Sequence, residues 1–123
     1  MSVLQHPSRP THDLGGTRFT SLATPSRGSS ETSMWQVEID PGTPAVPHSV
    51  TREEVFYVLD GVAAVELGGQ SSTAGRGDVI VVPTGVRFAV SAADGQRLRM
   101  VCCLPVGGQA QTADGAFTPP WAL

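Results

Sequence analysis

The sequence predicts an all-β domain, a sandwich or small barrel of short strands, on three observations. Apolar and polar residues alternate with a period of two over several short runs. Fourteen glycines and ten prolines interrupt the 123 residues every few positions, which leaves little room for long helices. The β-rich runs follow one another at close spacing with turn residues between them and no helical crossover. A chain of this length forms one domain and buries roughly two thirds of its unfolded surface, enough for a core.

Residues 1–16 are rich in Pro, His, Ser and Gly without sustained periodicity, and are expected to form an arm laid over the domain or partly disordered. Residues 17–107 carry the predicted barrel, whose first strands fall at 18–23 and 32–39 on either side of the turn-prone run 25–30. In the second of these, Trp35, Val37 and Ile39 share one face while Gln36 and Glu38 share the other. Pro41, Gly42, Pro44 and Pro47 then punctuate a loop over 40–47. A helix over 48–59 would also fit, since Val55, Val58 and Leu59 keep helical spacing, but the β-branched and aromatic content of 55–59 and the hairpin signal that follows favour a strand. The Asp60-Gly61 pair that follows predicts a hairpin to a strand at 62–67. Gly68, Gly69, Gly75 and Gly77 bracket what reads as a polar turn. Further strands are expected at 79–82, 87–90 and 98–104, with Pro83 and Gly85 bending the chain between the first two. The C-terminal segment, 108–123, holds Phe117 and Trp121, expected to pack over a barrel edge or a partner subunit.

Composition excludes several function classes. All eight positive charges are Arg, so Schiff-base catalysis, a P-loop lysine and a kinase-type ATP lysine are ruled out. Asparagine is also missing, which removes any N-glycosylation acceptor and, with the loss of lysine, points to a GC-rich, bacterial coding sequence. The net charge is −3 and the arginines are scattered from Arg9 to Arg99 without a basic stripe, so no nucleic-acid partner is expected. No apolar run reaches signal-peptide or membrane-spanning length, and no membrane partner is expected. Cys102 and Cys103 are neighbours that face opposite sides of a strand, which excludes a disulfide framework and makes a reducing cytoplasm the expected compartment.

Two stretches carry a family resemblance. From Gly42 the chain reads G-TPAVP-H-S-V-TRE-E-VFYVLD-G, ending at Gly61, and from Gly77 it reads G-DVIVV-P-T-G-VR-F-AVS-A. These resemble the two spaced motifs of the cupin superfamily: Gly42, His48, Glu54 and Gly61 match the first, and Gly77, Pro83 and Gly85 match the second. The resemblance implies a single-domain double-stranded β-helix, or jelly-roll barrel, that often forms a homodimer. It also implies a metal site, held in metal-binding cupins by two His and a Glu of the first motif and a His of the second. This chain keeps His48 and Glu54, but Val50 and Phe88 occupy the other two places and Ala92 stands where Asn is usual. Neither Val nor Phe offers a lone pair, and two ligands fall short of the three that catalytic zinc or non-haem iron keeps. No cofactor is therefore expected. A divalent metal, if one bound, would rest on His48 and Glu54 with help from Cys102, Glu53, His6 or His12.

Strand parity, continued from the resemblance, places Trp35, Val37, Ile39, Val50, Phe56 and Phe88 inside the barrel, with Leu98, Met100, Cys102 and Leu104 on the last strand. The implied pocket is apolar and aromatic with one imidazole and one carboxyl, the usual make-up of a small-molecule site. In such surroundings desolvation raises a carboxyl pKa and lowers that of an imidazole, unless the two pair. The function expected is a metal-independent proton transfer on a small apolar or aromatic metabolite: isomerisation, cyclisation, dehydration or epimerisation, as in bacterial secondary metabolism. His48 would be the base or acid and Glu54 its partner. The alternatives are a non-catalytic ligand-binding or partner-stabilising module, with His48 and Glu54 a structural pair, and a metal-dependent oxygenase with unusual ligands. Glu53 is expected to face solvent, Cys102 to be an inert buried thiol, and Arg76-Gly77-Asp78 to be turn chemistry.

Overall fold

Alternating side chains leave the longer strands with one apolar face, and the chain buries those faces between two walls. The computed structural model describes residues 2–123. Among them run β1 (His12–Asp13), β2 (Thr17–Ala23), β3 (Thr32–Ile39), β4 (Ser49–Val50), β5 (Glu54–Asp60) and β6 (Ala63–Leu67). The second half supplies β7 (Gln70–Ala74), β8 (Val79–Val82), β9 (Phe88–Ala92), β10 (Leu98–Pro105), β11 (Ala110–Thr112) and β12 (Gly115–Phe117). Single 3-10 turns lie at Pro25–Arg27 and Pro120–Ala122, and no helix is long and apolar enough to cross a membrane.

One wall is a six-stranded antiparallel sheet in the order β1-β2-β3-β10-β5-β8. The other is built from two three-stranded sheets, β12-β11-β4 and β7-β6-β9. A backbone bridge joins these two: His48 N donates to Phe88 O at 3.0 Å and Phe88 N donates back to His48 O at 2.8 Å. His48 and Phe88 thus stand at the seam of the second wall. The core lies between the walls, where Val58, Val82, Leu98, Met100, Cys102 and Leu104 are almost completely shielded from water.

Two local readings are corrected by these pairings, and two further segments prove to carry strands. Asp60-Gly61 is not a hairpin: β5 pairs with β10 and β8, whereas β6 pairs with β7 and β9. Gly61 still needs its left-handed φ of 82°, because the chain turns a barrel corner there from one wall to the other. A Cβ at this position would lie 2.4 Å from the Arg97 carbonyl oxygen. The polar stretch after Gly69 is a strand, β7, exposed along four of its five residues and held by its ladder to β6. The N-terminal arm contributes β1, paired with β2 at His12↔Phe19. The C-terminal segment forms a hairpin, β11–β12, whose β11 extends the second wall by pairing with β4. None of these strands has an apolar alternation of its own; each is fixed by its ladder to a neighbour.

The C-terminal residues strap the barrel end. Trp121 stacks on Phe19 with ring centroids 3.6 Å apart and 5° between planes. Ser21 Oγ donates to Trp121 O at 2.7 Å, and the buried Ser33 Oγ donates to Ala122 O at the same distance. Trp121 therefore packs on the barrel edge of its own chain.

Candidate functional site

The two walls enclose a cavity of about 430 Å³. From the large sheet, Trp35, Val37, Ile39, Glu54 and Phe56 reach it, along with Met100, Cys102 and Leu104. From the second wall come His48, Val50, Phe88, Val90, Ala110 and Thr112. Every residue that strand parity turns inward lines this one space, except Leu98, which is buried in the core beyond it. Register explains why: Cys102 is opposite both Trp35 and Phe56, and Met100 is opposite Val37, so inward side chains form continuous rows.

Glu54 opens β5 opposite Val82 and points inward with Phe56 and Val58, while Glu53 before it is exposed. Only 5 % of Glu54 is accessible, and no hydrogen bond or ion pair reaches its carboxyl among the described residues. Burial alone pushes its pKa up from the ordinary carboxylate range to about 8. At neutral pH Glu54 is therefore an uncharged acid able to donate a hydrogen bond. Burial, with the nearby Glu54 carboxyl, pushes the Cys102 thiol well above its usual range, which keeps that sulfur protonated and unreactive.

His48 sits half-buried on the opposite wall, its ring 4.3 Å from that of Phe88. The Val46 carbonyl can only accept, so the 2.8 Å contact with Nδ1 places the proton on that nitrogen and leaves Nε2 with the lone pair. His48 and Glu54 do not bond to each other. They come from facing sheets, whose backbones pack about 10 Å apart. A proton acceptor and a proton donor thus look into one space from two sides.

The cavity also tests the metal site. Its four motif positions, His48, Val50, Glu54 and Phe88, all line the same space. Val50 and Phe88 are buried and present only carbon. Among the described residues no three His, Cys, Asp or Glu side chains come together as a metal would need. His6 and His12 stay outside: His6 Nδ1 contacts Pro7 O, and His12 lies edge-on to Trp121. The residues present do not fit the metal that the motifs imply in other cupins.

Further residues complete the wall, of which Phe19 and Thr17 on β2 extend the inner rows opposite Val37 and Ile39. Phe19, Leu14 and Thr17 close the cavity from the N-terminal side, and Phe117, Pro119 and Trp121 from the C-terminal side. Thr43, Pro44, Ala45 and Val46 of the long loop also contribute. Leu14, Val46 and Phe117 are exposed as well as lining the cavity, which marks them as its mouth.

Comparison with known proteins places this architecture. The family described as "Cupin domain" matches residues 35–104, more than half of the chain, and the chain belongs to that family. No curated protein matches it. Among solved structures, KdgF from Halomonas sp. superposes with a TM-score of 0.72 at 22% identity, covering 85% of this chain and 94% of that one. The polyketide cyclase RemF from Streptomyces resistomycificus gives 0.74 at 23% identity, covering 85% and 80%. Salicylate 1,2-dioxygenase from Pseudoaminobacter salicylatoxidans, solved as adducts with gentisate, gives 0.65 at 20% identity, covering 77% of this chain and 26% of its own. These likenesses establish the cupin barrel, and the proteins that share it carry different activities.

Proposed function

We propose that this cupin is a metal-independent enzyme that binds a small apolar or aromatic metabolite between its two walls and moves a proton on it. His48 Nε2 takes a proton from carbon next to a carbonyl: the C–H bond breaks and its electron pair shifts toward the carbonyl oxygen. The Glu54 O–H, on the other wall, donates a hydrogen bond or its proton to that oxygen. Return of a proton to another atom completes an isomerisation, and the same pair serves a cyclisation, dehydration or epimerisation. The observation that carries this reading is the Glu54 carboxyl, buried without a partner at the wall of an apolar cavity and neutral up to about pH 8. A structural carboxyl would have a partner in the fold. The named activity of RemF, a polyketide cyclase, falls in the same reaction class, although the shared barrel does not itself select it.

The test works before the substrate is identified. The protein is incubated in D2O with a panel of aryl ketones, and loss of the α-proton signal is followed by NMR. Accelerated exchange that falls at least about tenfold in His48→Ala and in Glu54→Gln is expected. Full exchange or turnover in His48→Ala refutes the assignment. Tight binding with no exchange on any ketone makes the protein a ligand-binding module instead.

The chain is further proposed to act as a homodimer. Outside the large sheet, Tyr57, Val79 and Val81 are 46%, 55% and 47% exposed, in two cross-strand rungs, Tyr57↔Val79 and Val55↔Val81. These lie at β8, the open edge of that sheet, and a second copy related by a two-fold axis would cover the edge and the rungs together.

A further inference from the structure

We propose that the cavity selects uncharged, planar aromatic ligands bearing a hydrogen-bond acceptor and rejects their anionic analogues. The inference rests on the reading of this cavity as a small-molecule site and adds the class of molecule that it takes.

The aromatic part follows from where the rings are. The chain has four Phe, two Trp and one Tyr. All four Phe (19, 56, 88 and 117) and both Trp (35 and 121) line this single cavity, and only Tyr57 faces outward. Phe56 and Phe88, one from each wall, meet edge to face with centroids 5.9 Å apart. Core filling alone would distribute rings by size. Aromatic faces and edges gathered around open space favour a flat π-system slid between them.

The charge part follows from what the wall lacks. Among the described residues, no Arg lines the cavity. Arg18 is held by Asp40 and Glu38, Arg97 by Glu38, and Arg27 by the carbonyls of Leu22 and Gln5. Arg9, Arg52, Arg76 and Arg87 lie outside the cavity, and Arg99 alternates outward between the buried Leu98 and Met100. A carboxylate or phosphate entering the cavity would give up water and meet no countercharge. In the tautomer that Val46 selects, His48 has its Nδ1–H engaged and a lone pair on Nε2, so it offers an anion no free N–H. A neutral carbonyl or phenol oxygen, by contrast, accepts the unpartnered Glu54 proton at no electrostatic cost.

Two naphthalene probes of the same shape separate these cases: 2-acetylnaphthalene, neutral, and 2-naphthoate, an anion at about pH 7. Binding is followed by calorimetry and by quenching of Trp35 and Trp121 fluorescence. The ketone is expected to bind at least about tenfold tighter than the carboxylate. Phe88→Ala is expected to weaken the ketone about tenfold or more. Equal or tighter binding of 2-naphthoate overturns the charge selection while leaving a small-molecule site in place. Failure of both probes to bind overturns the selection together with the reading of the cavity. Ketone binding indifferent to Phe88→Ala, with the variant folded by circular dichroism, places the ligand elsewhere and overturns it too. Selective binding without proton exchange upholds the selection and removes only the chemistry.

Discussion

Replacing Glu54 by Gln should change the pH dependence of stability in a way that few other single substitutions could. The carboxyl keeps its proton in the folded protein up to about pH 8, whereas in the unfolded chain it releases it from its ordinary value of 4.5. Between those values the folded state binds more protons than the unfolded state, so stability falls as pH rises. From pH 5 to 7 the loss attributable to this one group is roughly 2–3 kcal/mol, and it levels off at roughly 4–5 kcal/mol above pH 9. Glu54→Gln removes the titration and keeps the volume. The amide's own burial shifts the whole curve without tilting it. Urea denaturation at constant ionic strength at pH 5, 7 and 9 reads the difference between the two proteins, in which the histidines and other shared groups cancel. The wild-type midpoint should fall relative to the variant by roughly 1–4 M urea between pH 5 and 9. Parallel curves would refute the claim that Glu54 is buried without a partner, and with it the neutral acid on which the proposed chemistry depends.

Three further outcomes test other parts of the structure. Val50→His combined with Phe88→His restores four donors at the motif positions and should bind stoichiometric Zn²⁺ or Ni²⁺ by metal titration; binding as tight in the parent protein would contradict the misfit of its donor set. Trp121→Ala deletes the stack on Phe19 and should lower stability by roughly 1–3 kcal/mol in urea, since the ring is half-buried; no loss would mean that the C-terminal strap does not close the barrel in solution. Val81→Glu should convert a dimer to a monomer in sedimentation equilibrium, and a parent protein that sediments as a monomer would remove the proposed homodimer.

Strand parity carried the cavity wall as far as it did because a β-strand encodes its inside face locally. Trp35, Val37 and Ile39 mark the inner row of β3, and Met100, Cys102 and Leu104 that of β10, by alternation alone. Glu54 falls inside by the same count, two residues before Phe56. What failed was information held by distant partners. Asp60-Gly61 has the local chemistry of a hairpin, yet the chain uses the left-handed glycine to change sheets, because the ladders of β10 and β9 hold β5 and β6 on separate walls. β7 has hardly any apolar side chain to betray it and exists through its ladder to β6. Phe117 and Trp121 become cavity residues only when the C-terminal segment folds across the mouth, as in the Ser21–Trp121 contact between residues 100 positions apart, whereas Phe19 joins the inner row through its ladder to Val37.

The two departures from the cupin motif and the state of Glu54 have a common physical cause. In a cage of imidazoles around a cation, a carboxyl is ionised, because the positive charge more than offsets the water it gives up. With Val50 and Phe88 in place of two imidazoles, no set of donors is left to hold that cation, and the carboxyl stays buried at the same place on β5. An ionised Glu54 there has nothing to compensate its desolvation, so the group retains its proton. The substitutions that remove ligands therefore change the remaining Glu from an acceptor-only ligand into a hydrogen-bond donor. They also convert the cage from a site that recruits anions through a metal into one that has no attraction for them. The misfit of the donor set and the buried acid thus both follow from the side chains at positions 50 and 88.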